Sequence, residues 1–284
     1  MRRTSFTFKI IVALIVCALG FSALAGCKGK AEQQGNIKTI NDLKPGDIYA
    51  VIKFNDFEGE LTFILFDDIA PIAIKEFAMA ANNRYYDGKT IHRVLKDTLF
   101  QGGALNPDGT DNTIPVEEMF EIETHTNARN FFGALCFAND LEEGMNYRQF
   151  YVVTANKPVD VDEQERQLKE VLDKATNEDF TKDERETFNR YYRTLHKIPT
   201  IARERYLERG GLPMLDGNVT VFGQLISGWE LLALISSVDV VAGNGIDDGN
   251  VMLNNGKGQH SRPAESLFIE SIRIIKIPLE TEEE

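Results

Sequence analysis

What most limits how this chain can fold is a series of short runs of β-branched and aromatic residues, punctuated by turn formers. Tyr49-Ala-Val-Ile-Lys-Phe54 and Leu61-Thr-Phe-Ile-Leu-Phe66 flank Asn55-Asp-Phe-Glu-Gly59, which predicts a β-hairpin. Pro71 suits a first helical position, and Ile74-Lys-Glu-Phe-Ala-Met-Ala-Ala81 continues with helical periodicity. Residues 131–137, 148–154 and 219–225 predict further strands, 229–235 a short helix and 267–277 a closing strand. Many strands with few helices point to a closed or nearly closed β-barrel.

One stretch breaks this pattern. Residues 160–209 are rich in Glu, Lys, Arg and Leu. Leu168, Val171, Leu172 and Ala175 fit one helical face, and Phe188, Tyr191, Tyr192 and Leu195 fit another. Thr181 and Glu184 have capping-box spacing at the start of the second helix. The segment reads as a helical hairpin inserted between two strands, over about residues 158–211.

The first residues read as an address. Arg2, Arg3 and Lys9 precede a nearly continuous apolar stretch over 10–25, the order of a secretory signal. It ends in Leu24-Ala-Gly-Cys27, which resembles a bacterial lipobox in which the Cys becomes the acylated first residue. The expected layout is a signal over 1–26, a tether over 27–47, the folded domain over 48–278 and an acidic tail over 279–284. Cys27 is the expected lipidation site and the link to the membrane, and Lys28 after it favours the outer membrane, facing the periplasm. After removal of Cys17 with the signal, Cys136 is the other thiol; its apolar setting makes it a small buried hydrophobe. The formal net charge of −13 argues against nucleic acid as a partner, because phosphate binding needs clustered Lys and Arg.

The chemistry lies in four ordered blocks: Ile91-His-Arg-Val94 leading to Gln101-Gly-Gly103; Gly133-Ala-Leu-Cys-Phe-Ala-Asn139; Arg148-Gln-Phe-Tyr-Val-Val153; and Leu215-Asp-Gly-Asn-Val-Thr-Val-Phe-Gly223. In this order, after the hairpin and the Pro71 helix, they resemble the cyclophilin family of peptidyl-prolyl isomerases. The resemblance covers about residues 48–157 and 212–278. It implies a mainly β fold: an eight-stranded antiparallel barrel closed by two helices, with the inserted helical hairpin added and the site on the barrel's outer face.

The implied reaction is rotation about X-Pro bonds of polypeptide clients, here exported ones. Resonance in the C–N bond sets a barrier of ~18–20 kcal/mol, and X-Pro exchange takes roughly tens to hundreds of seconds at 25 °C. No bond breaks, so no cofactor, metal or nucleophile is needed. A fixed guanidinium can donate to the prolyl nitrogen as the amide twists and its lone pair returns. By the resemblance, Arg93 is that catalytic group and Gln101 orients it and the peptide carbonyl. Ala138, Asn139 and Gln149 line the groove, and Leu99, Tyr151 and Leu215 form the proline pocket.

The sequence departs from the family at four pocket positions. Thr98 stands for a Phe, Tyr151 for a second Phe, Val219 for a His and Met214 for a Trp found in many members. Thr98 alone removes about 1.5–3 kcal/mol of apolar burial at the proline ring. The alternative reading is therefore a catalytically weak cyclophilin-fold chaperone or binding scaffold that uses the groove and the inserted hairpin. His92, His125, His196 and His260 lack metal-ligand spacing. The Asp/Asn/Gly mixtures at 106–112 and 244–250 lack the full calcium ligand series and read as turns.

Overall fold

The computed structural model describes residues 40–109, 119–140, 145–176, 180–241 and 261–278. Cys27 with the expected signal, the 244–250 loop, His260 and the acidic tail lie outside the described residues, as does part of the 106–112 loop. Nine strands form one antiparallel sheet: β1 (Ile48–Phe54), β2 (Glu60–Leu65), β3 (Ile91–Leu95), β4 (Leu99–Gly102), β5 (Phe120–Glu121), β6 (Ala134–Asp140), β7 (Met145–Val153), β8 (Val221–Ser227) and β9 (Ile269–Lys276). Eight of them run in the order β3-β4-β7-β6-β8-β2-β1-β9, and the short β5 pairs with β7. The two ends of this path meet. Thr90 bridges Phe268, Ile91 N donates to Leu267 O at 2.9 Å, and Ile269 N donates to Lys89 O at 2.8 Å. This curls the eight-strand path back on itself and removes most of the free edge.

Strand parity decides what faces where. Phe100 in β4, Phe137 in β6, Phe150 and Val152 in β7 and Phe222 in β8 point inward, into one cluster with Phe54 and Phe63 of the hairpin. Helix α1 (Pro71–Asn82) plugs one end of the barrel. Its Phe77 packs 5.0 Å from Phe222 and meets Phe137 and Phe150 edge-on at 6.0 and 5.9 Å. Ala70, the residue before α1, offers no side-chain cap. Glu123, far along the chain, supplies one instead by accepting from Ile72 N at 3.1 Å and Ala73 N at 2.7 Å.

The expected insert is helical but carries three helices rather than two: α2 (Val161–Lys174), α3 (Lys182–His196) and α4 (Thr200–Arg209). The Thr181/Glu184 capping box is present at the start of α3. The third helix was hidden from periodicity because it buries only Ala202 and Tyr206, while Ile201 and Leu207 face out. The insert has its own apolar cluster, which borrows Phe131 and Met214 from the barrel's loops. Helix α5 (Trp229–Ser236) covers the barrel with Leu231, Leu232 and Ile235. It starts at Gly228, with φ of 96°, where a Cβ would come within 2.4 Å of Glu60 O. Among the described residues no helix is long and apolar enough to cross a membrane.

Candidate active site

Arg93 lies on β3 opposite Gln101 on β4, and Gln101 lies opposite Tyr151 on β7. All three point outward, because Val94, Phe100, Phe150 and Val152 take the inward positions. Arg93 Nη1 donates to Gln101 Oε1 at 3.1 Å, Gln101 Nε2 to Gln149 Oε1 at 2.8 Å, and Gln149 Nε2 to Gly109 O at 3.2 Å. Arg93, Gln101 and Gln149 are 8%, 7% and 7% exposed, so this relay to the guanidinium is buried.

Beside this relay lies an apolar cluster on the outer face. It contains Leu99, Ala134, Cys136, Tyr151, Val153, Val219 and Val221, with Ala138 and Leu215 packed against it. The structure thus brings together Leu99, Ala138, Tyr151, Leu215 and Val219 of the sequence-predicted pocket, next to Arg93, Gln101 and Gln149. Asn139 borders them, its Nδ2 donating to Asn218 O at 2.6 Å. Two predicted residues lie elsewhere. Thr98 sits in the turn before β4, with its hydroxyl donating to Lys96 O at 3.2 Å. Met214 packs in the cluster of the insert. Nor does Phe100 substitute for a pocket Phe, since it is fully buried inside the barrel and meets Phe54 edge-on.

Behind the pocket runs a buried polar network that the sequence did not announce. Tyr151 Oη donates to Asn130 Oδ1 at 2.7 Å. Asn130 N and Nδ2 donate to Asp216 Oδ1 at 3.0 and 3.1 Å. Tyr206 Oη from α4 donates to the same oxygen at 2.8 Å, and Arg129 Nη1 reaches Asp216 Oδ2 at 2.7 Å. The buried Asp216 carboxylate is therefore paired with a cation and fully bonded, the condition under which a buried charge is tolerated. Burial, and next the Cys136 and Asp216 groups, push the Tyr151 phenol well above its ordinary pKa. Burial and then Asp216 do the same to Tyr206. Both phenols stay protonated and serve as donors. Asp216 lies inside the Leu-Asp-Gly block, but nothing local signals that a tyrosine from the insert will bind it.

His92, next to Arg93, is buried, and neither ring nitrogen has a hydrogen-bond partner among the described residues. Burial first, and the Arg93 charge second, lower its pKa from 6.5 to about 4, with Asp108 opposing. At neutral pH it is an uncharged ring under the Gly109 backbone, where a Cβ on Gly109 would meet His92 Cδ2 at 2.5 Å.

The family model described as "Cyclophilin type peptidyl-prolyl cis-trans isomerase/CLD" matches residues 49–256. A Staphylococcus aureus (strain COL) protein assigned as a peptidyl-prolyl cis-trans isomerase is 31% identical over 233 residues, covering 82% of this chain and 94% of its own. A Staphylococcus haemolyticus protein with the same assignment is 32% identical over 217 residues, covering 76% of this chain and 87% of its own. In fold, the chain is similar to a Cryptosporidium parvum cyclophilin type peptidyl-prolyl cis-trans isomerase, solved in the presence of the dipeptide Ala-Pro. The TM-score is 0.50 at 19% identity, over 80% of this chain and 99% of that one. With the ordered motifs, the closed antiparallel sheet and the outward-facing arginine relay, these similarities establish that the chain belongs to the cyclophilin-type peptidyl-prolyl cis-trans isomerase family.

Proposed function

We propose that this protein accelerates cis/trans exchange at X-Pro bonds of exported polypeptides, with Arg93 stabilising the twisted amide. The observation that carries this reading is the Arg93–Gln101–Gln149 relay beside the apolar cluster of Leu99, Tyr151 and Val219. A proline ring seated on that cluster places its nitrogen near a guanidinium that needs no reorganisation, so the donated bond favours the transition state over either ground state. Exchange in X-Pro peptides, measured with wild type and Arg93→Ala, tests it. Loss of one preorganised donor is expected to lower kcat/KM by about a hundredfold or more. Equal rates with the two proteins would sink the mechanism.

The exported, lipid-anchored part of the reading rests on the apolar stretch over 10–25 and on Cys27. A single acyl chain binds membranes only marginally, so stable anchoring takes more than one. With Lys28 next, the proposed place is the outer membrane, facing the periplasm. Metabolic labelling with a radioactive fatty acid, followed by membrane fractionation, checks this. Label on Cys27→Ala equal to wild type would refute it.

A second reading is favoured by the placement of Thr98 and Met214, which leaves the pocket with less apolar wall than the family pattern. In it the protein holds clients with little catalysis. Client binding would then survive Arg93→Ala and be lost without residues 160–209.

A further inference from the structure

Several cations of this acidic chain stand against an anion. Lys53 pairs with Glu270, Lys157 with Asp97, Lys169 with Asp173, Arg203 with Asp162 and Glu165, and Arg273 with Glu60. Along one side of α3 the pattern stops. Arg190, Arg193 and Lys197 have i, i+3, i+7 spacing on one helical face and make no ion pair among the described residues. They line a cleft of about 410 Å³ between α3 and the barrel loops carrying Thr126, Arg129 and Asn218. That volume falls within the ~300–1,000 Å³ range of ligand pockets. Among the described residues Asp216 is the one carboxylate in the cleft wall, and Arg129 already neutralises it. The helix C-terminus offers only about half a negative charge to the basic residues near it. The cleft therefore holds an excess of roughly three positive charges in a chain whose formal net charge is −13.

The cleft also joins the groove. Asn218 O accepts from Asn139 Nδ2 at 2.6 Å, while Asn218 Nδ2 donates to Thr194 Oγ1 of α3 at 3.1 Å. Its neighbour Val219 belongs to the apolar cluster beside Arg93. Asn218, which lines the cleft, is thus bonded to Asn139 at the groove and precedes Val219 of the apolar cluster.

We propose that this cleft is an anion-binding subsite for acidic side chains of the polypeptide whose proline occupies the groove. It makes the protein selective for X-Pro bonds flanked by Asp or Glu. The proline half of this assignment rests on the isomerase reading; the cleft itself does not. A polypeptide fits better than an anionic membrane or a nucleic acid. Those are extended polyanions that the net charge of the whole chain repels, whereas one or two carboxylates reach the recess alone.

The test compares the full chain with an Arg190→Gln/Arg193→Gln/Lys197→Gln variant on matched X-Pro peptides. A Glu pair, or a Gln pair as control, is stepped along both sides of the proline. Peptide binding is read by fluorescence anisotropy and exchange by NMR. With two or three exposed charge contacts, wild type is expected to prefer the best Glu peptide on the order of tenfold. The preference should fall with added salt and vanish in the variant, whose rate on Gln peptides matches wild type. No preference in wild type, or the same preference in the variant, overturns the proposal. So does binding to phosphatidylglycerol vesicles that the variant loses while peptide preference is absent. If wild type catalyses neither peptide yet binds the Glu peptide more tightly and the variant does not, the cleft stands and the isomerase reading falls.

Discussion

In the proposed mechanism, a guanidinium that meets an amide nitrogen in mid-rotation cannot be left free to sample its rotamers. Arg93 is fixed by Gln101, and Gln101 by Gln149. On that proposal Gln101 is a positioning residue, and Gln101→Leu is expected to lower kcat by about tenfold with a smaller change in KM, read by peptide exchange kinetics. The neighbouring His92 adds a pH response. Its pKa is about 4 in the fold against 6.5 for the free side chain, so between these values the unfolded chain binds the extra proton. Stability contributed by the neutral ring is complete above pH 6.5 and is lost as pH falls towards 4, up to about 3 kcal/mol. Urea unfolding of wild type and His92→Gln across this window should show a shallower pH slope for the variant; parallel slopes would contradict the assignment. At this scale Arg93 and Gln101 were expected from the family resemblance, whereas their shared outward face follows from the parity of β3 and β4, two strands the sequence did not predict. Met214 was not legible, since its cluster is supplied by helices distant in sequence.

Elements add what single residues cannot. The insert is fastened to the site by Tyr206, whose hydroxyl reaches the carboxylate that orders Asn130 and, through it, Tyr151. Tyr206→Phe keeps the ring and removes one bond to a charged group, so denaturant unfolding should show a loss of about 1.5–3 kcal/mol. If the network also sets the pocket, KM for X-Pro peptides rises with it. The capping box of α3 is more local. Thr181→Ala should cost about 1 kcal/mol and appear first as faster hydrogen exchange in the first turn of α3. That box was readable because its two members lie three residues apart. Helix α4 was not, because its amphipathic stripe is as narrow as Ala202 and Tyr206.

For the molecule as a whole, the insert is a closed excursion. It leaves near Lys157 and returns at Gly210, where a Cβ would fall 2.5 Å from Lys157 O. The barrel core shares no buried residue with the insert's cluster. Replacing residues 160–209 with a short linker should therefore leave a folded barrel, seen as retained near-ultraviolet circular dichroism. Phe131 and Met214 would be uncovered, each costing about 1.5–3 kcal/mol of burial, so the melting temperature should fall. Complete unfolding of the shortened chain would show instead that the two clusters are one cooperative unit.

By itself the sequence determined the features carried by neighbours along the chain. These are the alternating runs that become strands, the Pro71 helix, the ordered blocks around Arg93 and Gln101, and the helical character of the insert. Periodicity, capping and motif order are local, so they can be read without coordinates. Only the tertiary structure decided which of those residues meet. Sheet curling brings Thr90 to Phe268, and a tyrosine of the insert reaches Asp216. A face of α3 is set against the barrel so that its cations gather in one cleft. Such pairings depend on long-range packing, where burial and charge act through space and sequence distance carries no information.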